Sequence, residues 1–210
     1  MQSTAFKVIL TVICGILLLL TVTVAGLYVD AGRVSEQAVS EARTSLTTYL
    51  ATHPESTPRT LAVVDFSQPS YVKRMAIIDL RNGKRSFYRV AHGKNSGDLY
   101  ARRFSDVQDS NMSSLGLFRV TRRYDGDHGL ALRLDGLDSL RNGNAAQRDI
   151  VLHSAGYISI PFILLNIVTL HGPMIGRSNG CFAVPKRDIE EVVRKLADGG
   201  FIYAWAGGSR

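Results

Sequence analysis

The sequence is poor in cysteine and proline, so it has few residues for disulfide cross-links or for extended linkers. It contains two cysteines, Cys14 and Cys181, too few for a disulfide framework. Six prolines and nineteen glycines in 210 residues exclude a collagen-like or linker-dominated chain. Charged residues make up 20% of the chain and apolar residues 45%, which is typical of a packed core and excludes intrinsic disorder. This length predicts one globular domain with a short additional segment.

The sequence also lacks the patterns of nucleic-acid and metal binding. Lys and Arg number 25 against 18 Asp and Glu, a net charge of +7, but the basic residues are scattered among acidic ones. No basic run is interleaved with aromatic residues, so we predict no nucleic-acid partner. The histidines and cysteines form neither H-E-x-x-H nor C-x-x-C, so we predict no metal site and no cofactor.

Charge is absent from residues 8–29, a run of 22 residues. As a helix this run would span about 33 Å, enough for a hydrocarbon core of about 30 Å. Lys7 precedes it, which favours an N-terminus in the cytoplasm and an exported remainder. We predict a signal-anchor or transmembrane segment over residues 1–29, inserted in the inner membrane through residues 8–29. A cleaved signal peptide and secretion is the alternative. Both place the rest of the chain outside the cytoplasm.

The remainder changes its periodicity near residue 60. Helical spacing from Val34 to Leu50 predicts an amphipathic stalk helix, and a Pro-containing linker follows, so residues 30–60 form the second segment. Residues 61–210 are the predicted globular domain, with Asn82-Gly83 as a hairpin turn and a helix at Asp188–Ala197. Short β-type runs favour an antiparallel sandwich or barrel, and they cover residues 61–66, 75–80, 86–91, 117–121, 130–134, 150–153 and 201–206.

The segment from Gly176 to Cys181 is the densest cluster of unusual residues. Its G-x-S-x-G pattern resembles a serine nucleophile elbow, but such enzymes need a His after the Ser, and none follows His171. Cys181 is the other candidate nucleophile, because flanking glycines permit close approach of a carbonyl and backbone N–H groups there could hold an oxyanion. The nearest candidate bases in sequence are His153 and His171. A small buried hydrophobic residue is the alternative interpretation of Cys181.

These residues resemble a known family. Ser178-Asn179-Gly180-Cys181 is similar to the S-H-G-C signature of YkuD-type L,D-transpeptidases, and His153-Ser154-Ala155 is similar to their upstream histidine element. The whole region from about residue 61 to 206 resembles the murein L,D-transpeptidase catalytic domain subgroup. The further matching motifs are His92–Gly97, Ser113–Gly116, Tyr124 with His128-Gly129, Leu132–Leu137, Asn142–Arg148 and Gly176–Pro185.

The resemblance implies a mainly β fold, a YkuD-like sandwich or barrel with one or two short helices, after the transmembrane helix and stalk. It implies that Cys181 attacks a tetrapeptide stem of peptidoglycan, that His153 is the base, and that no cofactor takes part. D-Ala leaves, and the acyl group passes to an acceptor amine. The implied oxyanion or substrate-binding residues are Gly180, Asn179, Ser178, Arg177 and Ser154, and further candidates for binding substrate are His92, Lys94 and His171.

Two other functions remain open at this point. With water as acceptor the same site would be an L,D-carboxypeptidase, and without catalysis the domain would be a wall-binding module. The sequence departs from the family pattern at Asn179, at Phe182 and in the apolar segment Ile160–Leu170. Eleven residues are too short for a second membrane span, so we predict that this segment packs in the core or contacts a membrane or partner.

Overall fold

The computed structural model describes residues 4–29, 32–127 and 129–207. The chain divides between residues 31 and 32 into two compact units. The first contains helix α1 (Thr4–Val29). Its residues Thr4–Leu27, with a mean hydropathy of 2.8, are long and apolar enough to cross a membrane, a test that a signal sequence also passes. His128, in one of the motifs above, lies outside the described residues.

The second unit is built on one mixed sheet of eight strands. The strands are β1 (Thr60–Asp65), β2 (Met75–Asp79), β3 (Arg85–Tyr88), β4 (Gly116–Gly126), β5 (Gly129–Gly136), β6 (Val151–Ala155), β7 (Phe182–Pro185) and β8 (Gly200–Trp205). The helices are α2 (Glu36–Thr52), α3 (Ile160–Val168) and α4 (Ile189–Leu196). The strand order is β3-β2-β1-β8-β4-β5-β6-β7. The pairs β1–β8 and β6–β7 are parallel, and the remaining pairs are antiparallel.

The backbone after β3 joins the two ends of this sheet. Ala91 N donates to Ala183 O of β7 at 2.9 Å, and Lys94 N donates to Ser178 O at 2.8 Å. In return, Ser178 N donates to His92 O at 2.9 Å. The sheet therefore curls until its first and last strands are linked, which gives the barrel-like form and leaves the short strand β7 supported on both sides.

Alternation along the strands divides the core into an inner and an outer cluster. On β1, Ala62 and Val64 belong to the inner cluster, which also contains the apolar face of α4. Leu61 and Val63 point the opposite way and belong to the outer cluster. Each β1 side chain is therefore buried, because both faces of this strand are covered by packed elements.

Helix α2 covers the outer face of the sheet. Ser35 caps its N-terminus by accepting from Ala38 N, and its buried residues are Ala38, Val39, Ala42 and Leu46. These pack against β1, β4 and β8, and Trp205 Nε1 donates to Glu41 Oε2 at 2.9 Å. The helix that the periodicity predicts as a stalk thus forms a layer of the same compact unit as the sheet.

The predicted mainly β fold is confirmed. Asn82-Gly83 lies between the antiparallel strands β2 and β3, with Gly83 at φ 72°, and α4 falls within the predicted helix. The sequence patterns missed β7 and both parallel pairings. Strand β7 has only four residues, all buried, so it carries no alternation of polar and apolar residues for a pattern to detect.

The apolar segment Ile160–Leu170 forms the short helix α3 and the turn after it. Ser159 caps the helix by accepting from Phe162 N, with Pro161 in the first turn. Ile160 and Ile163 are buried, as the core interpretation predicts. Leu170 is 93% exposed, and Leu165 and Val168 are also exposed, so residues 32–127 and 129–207 leave the other face of the segment open.

The packing of α2 is tested by replacing Leu46, which is 5% exposed against the sheet. We expect Leu46→Ala to lower the free energy of unfolding by about 2–4 kcal/mol, because it leaves a cavity between helix and sheet. Thr47→Ala, at an exposed position of the same helix, is the matched control and should change stability by less than about 0.5 kcal/mol. Urea unfolding of the full chain in detergent measures both. Equal small effects would contradict the packed layer.

Candidate active site

The parallel pairing of β6 with β7 brings Cys181 and His153 to one face of the sheet. His153 lies opposite Ala183, and Leu152 lies opposite Phe182. Leu152 and Phe182 point into the inner core. Because side chains alternate along a strand, His153 and the residue before Phe182 point the other way, toward the cleft. Cys181 and His153 therefore both line the cleft, although they are 28 positions apart in the sequence.

The ring of His153 is held by a hydrogen bond to the backbone of the next residue. Its ring Nδ1 lies 2.9 Å from the carbonyl oxygen of Ser154, and the residue is only 6% exposed. A carbonyl oxygen can only accept, so Nδ1 carries the proton and donates it. In the neutral ring this leaves Nε2 as the basic nitrogen, the tautomer that a general base requires.

Cys181 sits at the floor of the cleft as a protonated thiol. Burial raises its pKa, while the backbone N–H of Val151 and the charge of Arg148 oppose that shift. Its Sγ donates a weak hydrogen bond to Asp149 O at 3.5 Å. A thiol with a raised pKa attacks a carbonyl only if a base removes its proton during the attack, and His153 is the base that shares its face.

The loop before the cysteine, residues 176–181, is called the nucleophile loop here. Ser178 Oγ donates to Cys181 O at 2.7 Å and accepts from Gly180 N at 3.1 Å, so one hydroxyl fixes both residues. Gly180 has φ 125°, a conformation that favours glycine. The Gly180 N–H, one of the predicted oxyanion donors, is thus already engaged inside the loop.

An open cleft of about 1210 Å³ surrounds these residues. Its lining comes from the β4–β5 hairpin, from β6 and the turn after it, and from the nucleophile loop, and it includes Cys181, His153, Ser154, Arg177, Ser178 and Asn179. The remaining charged lining residues are Asp125, Asp127, Arg133, Asp149 and Lys186. Acids and bases of this kind suit a substrate that carries both carboxylates and amines.

Tyr157 is a cleft residue that the sequence patterns missed. Burial and the neighbouring charge of Cys181 raise its pKa to about 12, so its hydroxyl stays protonated as a donor. A Cβ on Gly176 would lie 2.5 Å from the Tyr157 ring, and Gly176 N donates to Tyr157 O at 2.9 Å. The Gly176 position therefore lets the ring pack directly on the nucleophile loop. A lone Tyr in a turn gives no signal of this in one sequence.

The chain matches one protein family over most of its length. The model of the L,D-transpeptidase catalytic domain family matches residues 30–205. The chain belongs to the L,D-transpeptidase catalytic domain family. No curated protein matches the chain.

Solved structures of L,D-transpeptidases resemble the chain at low identity. An L,D-transpeptidase from Mycobacterium smegmatis is 13% identical, with a TM-score of 0.42, over 70% of this chain and 59% of that one. L,D-transpeptidase 3 from Mycobacterium tuberculosis, solved with a faropenem-derived adduct, is 13% identical with a TM-score of 0.43, over 70% of this chain and 60% of that one. The chain thus spans less than two thirds of these proteins.

Three further residues are candidates for substrate binding by the resemblance to L,D-transpeptidases. Only one of them lines the cleft. Arg177 lines the cleft but forms an ion pair with Asp98. The Lys94 side chain is exposed, and its backbone N–H supports Ser178. His171 is exposed in the turn after α3, where its Nδ1 lies 3.0 Å from Thr169 Oγ. Neither Lys94 nor His171 is among the residues that line the cleft.

His92 requires a correction, because it lies in the interior with no exposed surface. Its Nδ1 is 2.7 Å from Nη2 of the buried Arg74, and its Nε2 is 3.0 Å from Gly97 O. Arg74 can only donate, so the ring is neutral, with Nδ1 accepting and Nε2 donating. Burial, and then the charge of Arg74, lower the pKa of His92 to about 3. In this L,D-transpeptidase domain we assign His92 a structural function instead of substrate contact.

The rest of the His92–Gly97 motif supports the loops around the site. Gly93 N donates to Ser113 Oγ at 3.0 Å, and Ser113 N donates to Ser96 Oγ at 2.9 Å. A Cβ on Gly93 would lie 2.5 Å from Asn111 O, so this close approach needs glycine. Within residues 4–29, 32–127 and 129–207, no group of three or more His, Cys, Asp or Glu side chains could hold a metal ion.

The neutral His92 predicts a loss of stability in acid. Between the unfolded pKa of about 6.5 and the folded pKa of about 3, the unfolded chain binds a proton that the folded protein does not. The stabilisation that comes from the neutral His92 is therefore fully present above about pH 6.5. As the pH drops below that value, this contribution to the free energy of unfolding falls by up to about 1.4 kcal/mol per pH unit. We expect His92→Gln to remove this part of the slope in urea unfolding between pH 4 and 6. His171→Gln, the exposed control, should leave it unchanged. Identical slopes in wild type and His92→Gln would contradict the prediction.

Proposed function

We propose that the protein is a cysteine-dependent peptidoglycan L,D-transpeptidase with Cys181 as nucleophile and His153 as base. The observation that carries the proposal is the register of β6 and β7, which puts the two side chains on one face of the cleft. Membership of the L,D-transpeptidase family supports the reaction class. The substrate is then a tetrapeptide stem, and the energy comes from its terminal peptide bond.

The first half-reaction forms a thioester. As Sγ of Cys181 attacks the carbonyl carbon of the third stem residue, Nε2 of His153 takes the thiol proton. Collapse of the tetrahedral intermediate breaks the C–N bond, and His153 returns the proton to the departing D-Ala amine. In the second half-reaction an acceptor amine loses a proton to His153, attacks the thioester and displaces the Cys181 sulfur, which takes the proton back.

The developing oxyanion needs donors at the nucleophile loop. We propose the backbone N–H groups of Asn179 and Cys181 for this function, since the N–H of Gly180 bonds to Ser178 Oγ at 3.1 Å. Arg177 and Lys186 are the cleft cations that we propose for stem carboxylates. Ser154 contributes its backbone carbonyl, which holds the ring of His153.

We further propose that the domain works outside the cytoplasm, tethered to the cytoplasmic membrane by α1. Its length and mean hydropathy of 2.8 support a span. Hydroxyls of Thr11, Thr21 and Thr23 donate to carbonyls four residues earlier, which removes the cost of placing these hydroxyls in lipid. Cleavage of α1 as a signal, with secretion of the domain, is the alternative location.

The nucleophile is tested by substitution. We expect Cys181→Ala to abolish release of D-Ala from disaccharide-tetrapeptide while stability changes by no more than about 1 kcal/mol, because this small side chain faces the cleft. Cys14→Ala, in α1, is the control and should keep full activity. Mass spectrometry of the digested muropeptide measures both. Turnover by Cys181→Ala would exclude the cysteine mechanism.

The same digestion separates the two enzymatic functions. Cross-linked dimers, or products carrying an added amine, support the transpeptidase, and tripeptide alone supports an L,D-carboxypeptidase. Acylation of Cys181 by a carbapenem, read as a mass increase on its peptide, separates both from a non-catalytic wall-binding module. Binding to peptidoglycan sacculi without an adduct or a product would favour the module.

The base is tested by comparing two histidines. We expect His153→Ala to lower kcat by about 100-fold or more, because the thiol of Cys181 is protonated at neutral pH and the base is then lost. His171→Ala should change kcat less than about twofold, since this exposed ring lies outside the cleft lining. Release of D-Ala at saturating muropeptide gives both values. A larger effect of His171→Ala would reverse the assignment.

A further inference from the structure

Arg148 carries a buried charge that the reaction scheme does not use. It lies in the turn before β6, and its side chain is 3% exposed. Its Nη1 is 3.3 Å from Asp106 Oδ1 and donates to Ser105 O at 2.8 Å. The other acceptors of the guanidinium are Ser114 Oγ, Ser110 Oγ and Met112 O. This many partners offset the cost of burying the charge and fix the guanidinium in one position.

The same guanidinium lies against the nucleophile loop. A Cβ on Gly180 would lie 2.9 Å from Met112 O and 3.3 Å from Nη2 of Arg148. Met112 O itself accepts from Nη2 of Arg148 at 2.7 Å. Gly180 is the residue directly before the nucleophile. Its missing side chain therefore lets the backbone at Cys181 rest on the fixed cation and on the carbonyl that it holds.

Several charges face Cys181 from the elements around it. Arg148 lies behind the loop, and its positive charge lowers the pKa of Cys181, against the effect of burial. Asp149, on the same turn, raises that pKa through its negative charge. The Asp149 carboxylate is itself 3.6 Å from Arg133 Nη1 on β5. Tyr157, which stays protonated, and His153 line the same cleft as Cys181. The charged groups further along the cleft are Asp125, Asp127, Arg177 and Lys186.

We propose that Arg148 is the positioning residue of the nucleophile: it supports the backbone of Gly180-Cys181 from behind and provides the fixed positive charge that favours the Cys181 thiolate. The inference rests on Cys181 as the nucleophile of the proposed reaction. Asp106 sets the strength of that charge, because it neutralises part of it. The arginine that ends the Asn142–Arg148 motif thereby acquires a function through Cys181 without touching substrate.

The test measures the ionisation of the thiol directly. Full-length protein carrying Cys14→Ser is alkylated with iodoacetamide in detergent from pH 6 to 12, and the rate at Cys181 is read by peptide mass spectrometry. Only the thiolate reacts, so the midpoint of the rate profile reports the thiol ionisation, and its plateau reports access to the sulfur. This readout needs no peptidoglycan. Failure of the proposed reaction, seen as no muropeptide product, is therefore distinguishable from failure of this inference.

Three variants separate charge from packing. We expect Arg148→Met to slow alkylation at pH 7 at least about threefold and to raise the midpoint, with the plateau within about twofold of wild type. Asp106→Asn should shift the midpoint down, because less of the arginine charge is neutralised. Arg148→Lys should keep the midpoint near that of wild type, because it keeps the charge.

A residue that only supports the fold gives a different pattern. Arg148→Met and Asp106→Asn would then shift the midpoint in the same direction, or not at all, and both would lower the melting temperature and alter the plateau. Either result overturns the inference, as does a midpoint for Arg148→Lys that rises as far as that for Arg148→Met. If Arg148→Met does not fold, the downward shift expected of Asp106→Asn, together with an unchanged midpoint for Arg148→Lys, still decides.

Discussion

His153 and Cys181 take their positions in the cleft from the parallel pairing of β6 with β7, because that pairing fixes the register between His153 and the segment that begins after Cys181. A slip of β7 by one residue would turn the Cys181 side chain toward the core while His153 kept its place, since side chains alternate along a strand. The register is held by apolar packing, with Leu152 and Phe182 both fully within the inner cluster. The same burial that stabilises the domain thus fixes the positions of the proposed nucleophile and base.

Strand β7 is too short to hold this register alone, so its neighbours support it. The backbone after β3 bonds to it through Ala91 N and brackets Ser178 through the backbone of His92 and Lys94. Behind these contacts stand two buried cations, Arg74 and Arg148, each surrounded by acceptors. The motifs His92–Gly97, Ser113–Gly116 and Asn142–Arg148 therefore lie under the loops, whereas Tyr124, Gly129 and Arg133 of the other motifs line the cleft.

The sequence contains enough to predict the β-rich domain and most of its strands, and the resemblance to the family adds Cys181 and His153 as the proposed reacting residues. Alternating runs and the Asn82-Gly83 turn are local signals, and a nucleophile in a glycine-rich loop is a local chemical signal. What could not be predicted depends on contacts between distant residues. The parallel pairs, the packing of α2 and the position of Tyr157 beside Gly176 arise only when the sheet curls. The interior position of His92 depends in the same way on Arg74, which is 18 residues away in the sequence.

The two buried cations act on their neighbours through opposite chemistry. Arg74 donates to the ring of His92, which keeps that histidine neutral and unavailable as a base. Arg148 lies near a group that becomes negative, so its charge favours ionisation where that of Arg74 prevents it. Burial alone would keep the Cys181 thiol protonated. A thiol whose pKa is low enough for full ionisation gives more thiolate, but each thiolate is then a weaker nucleophile. In the proposed reaction, a fixed cation behind the loop and His153 as base leave the thiol protonated at rest and let its proton leave as the carbonyl is attacked.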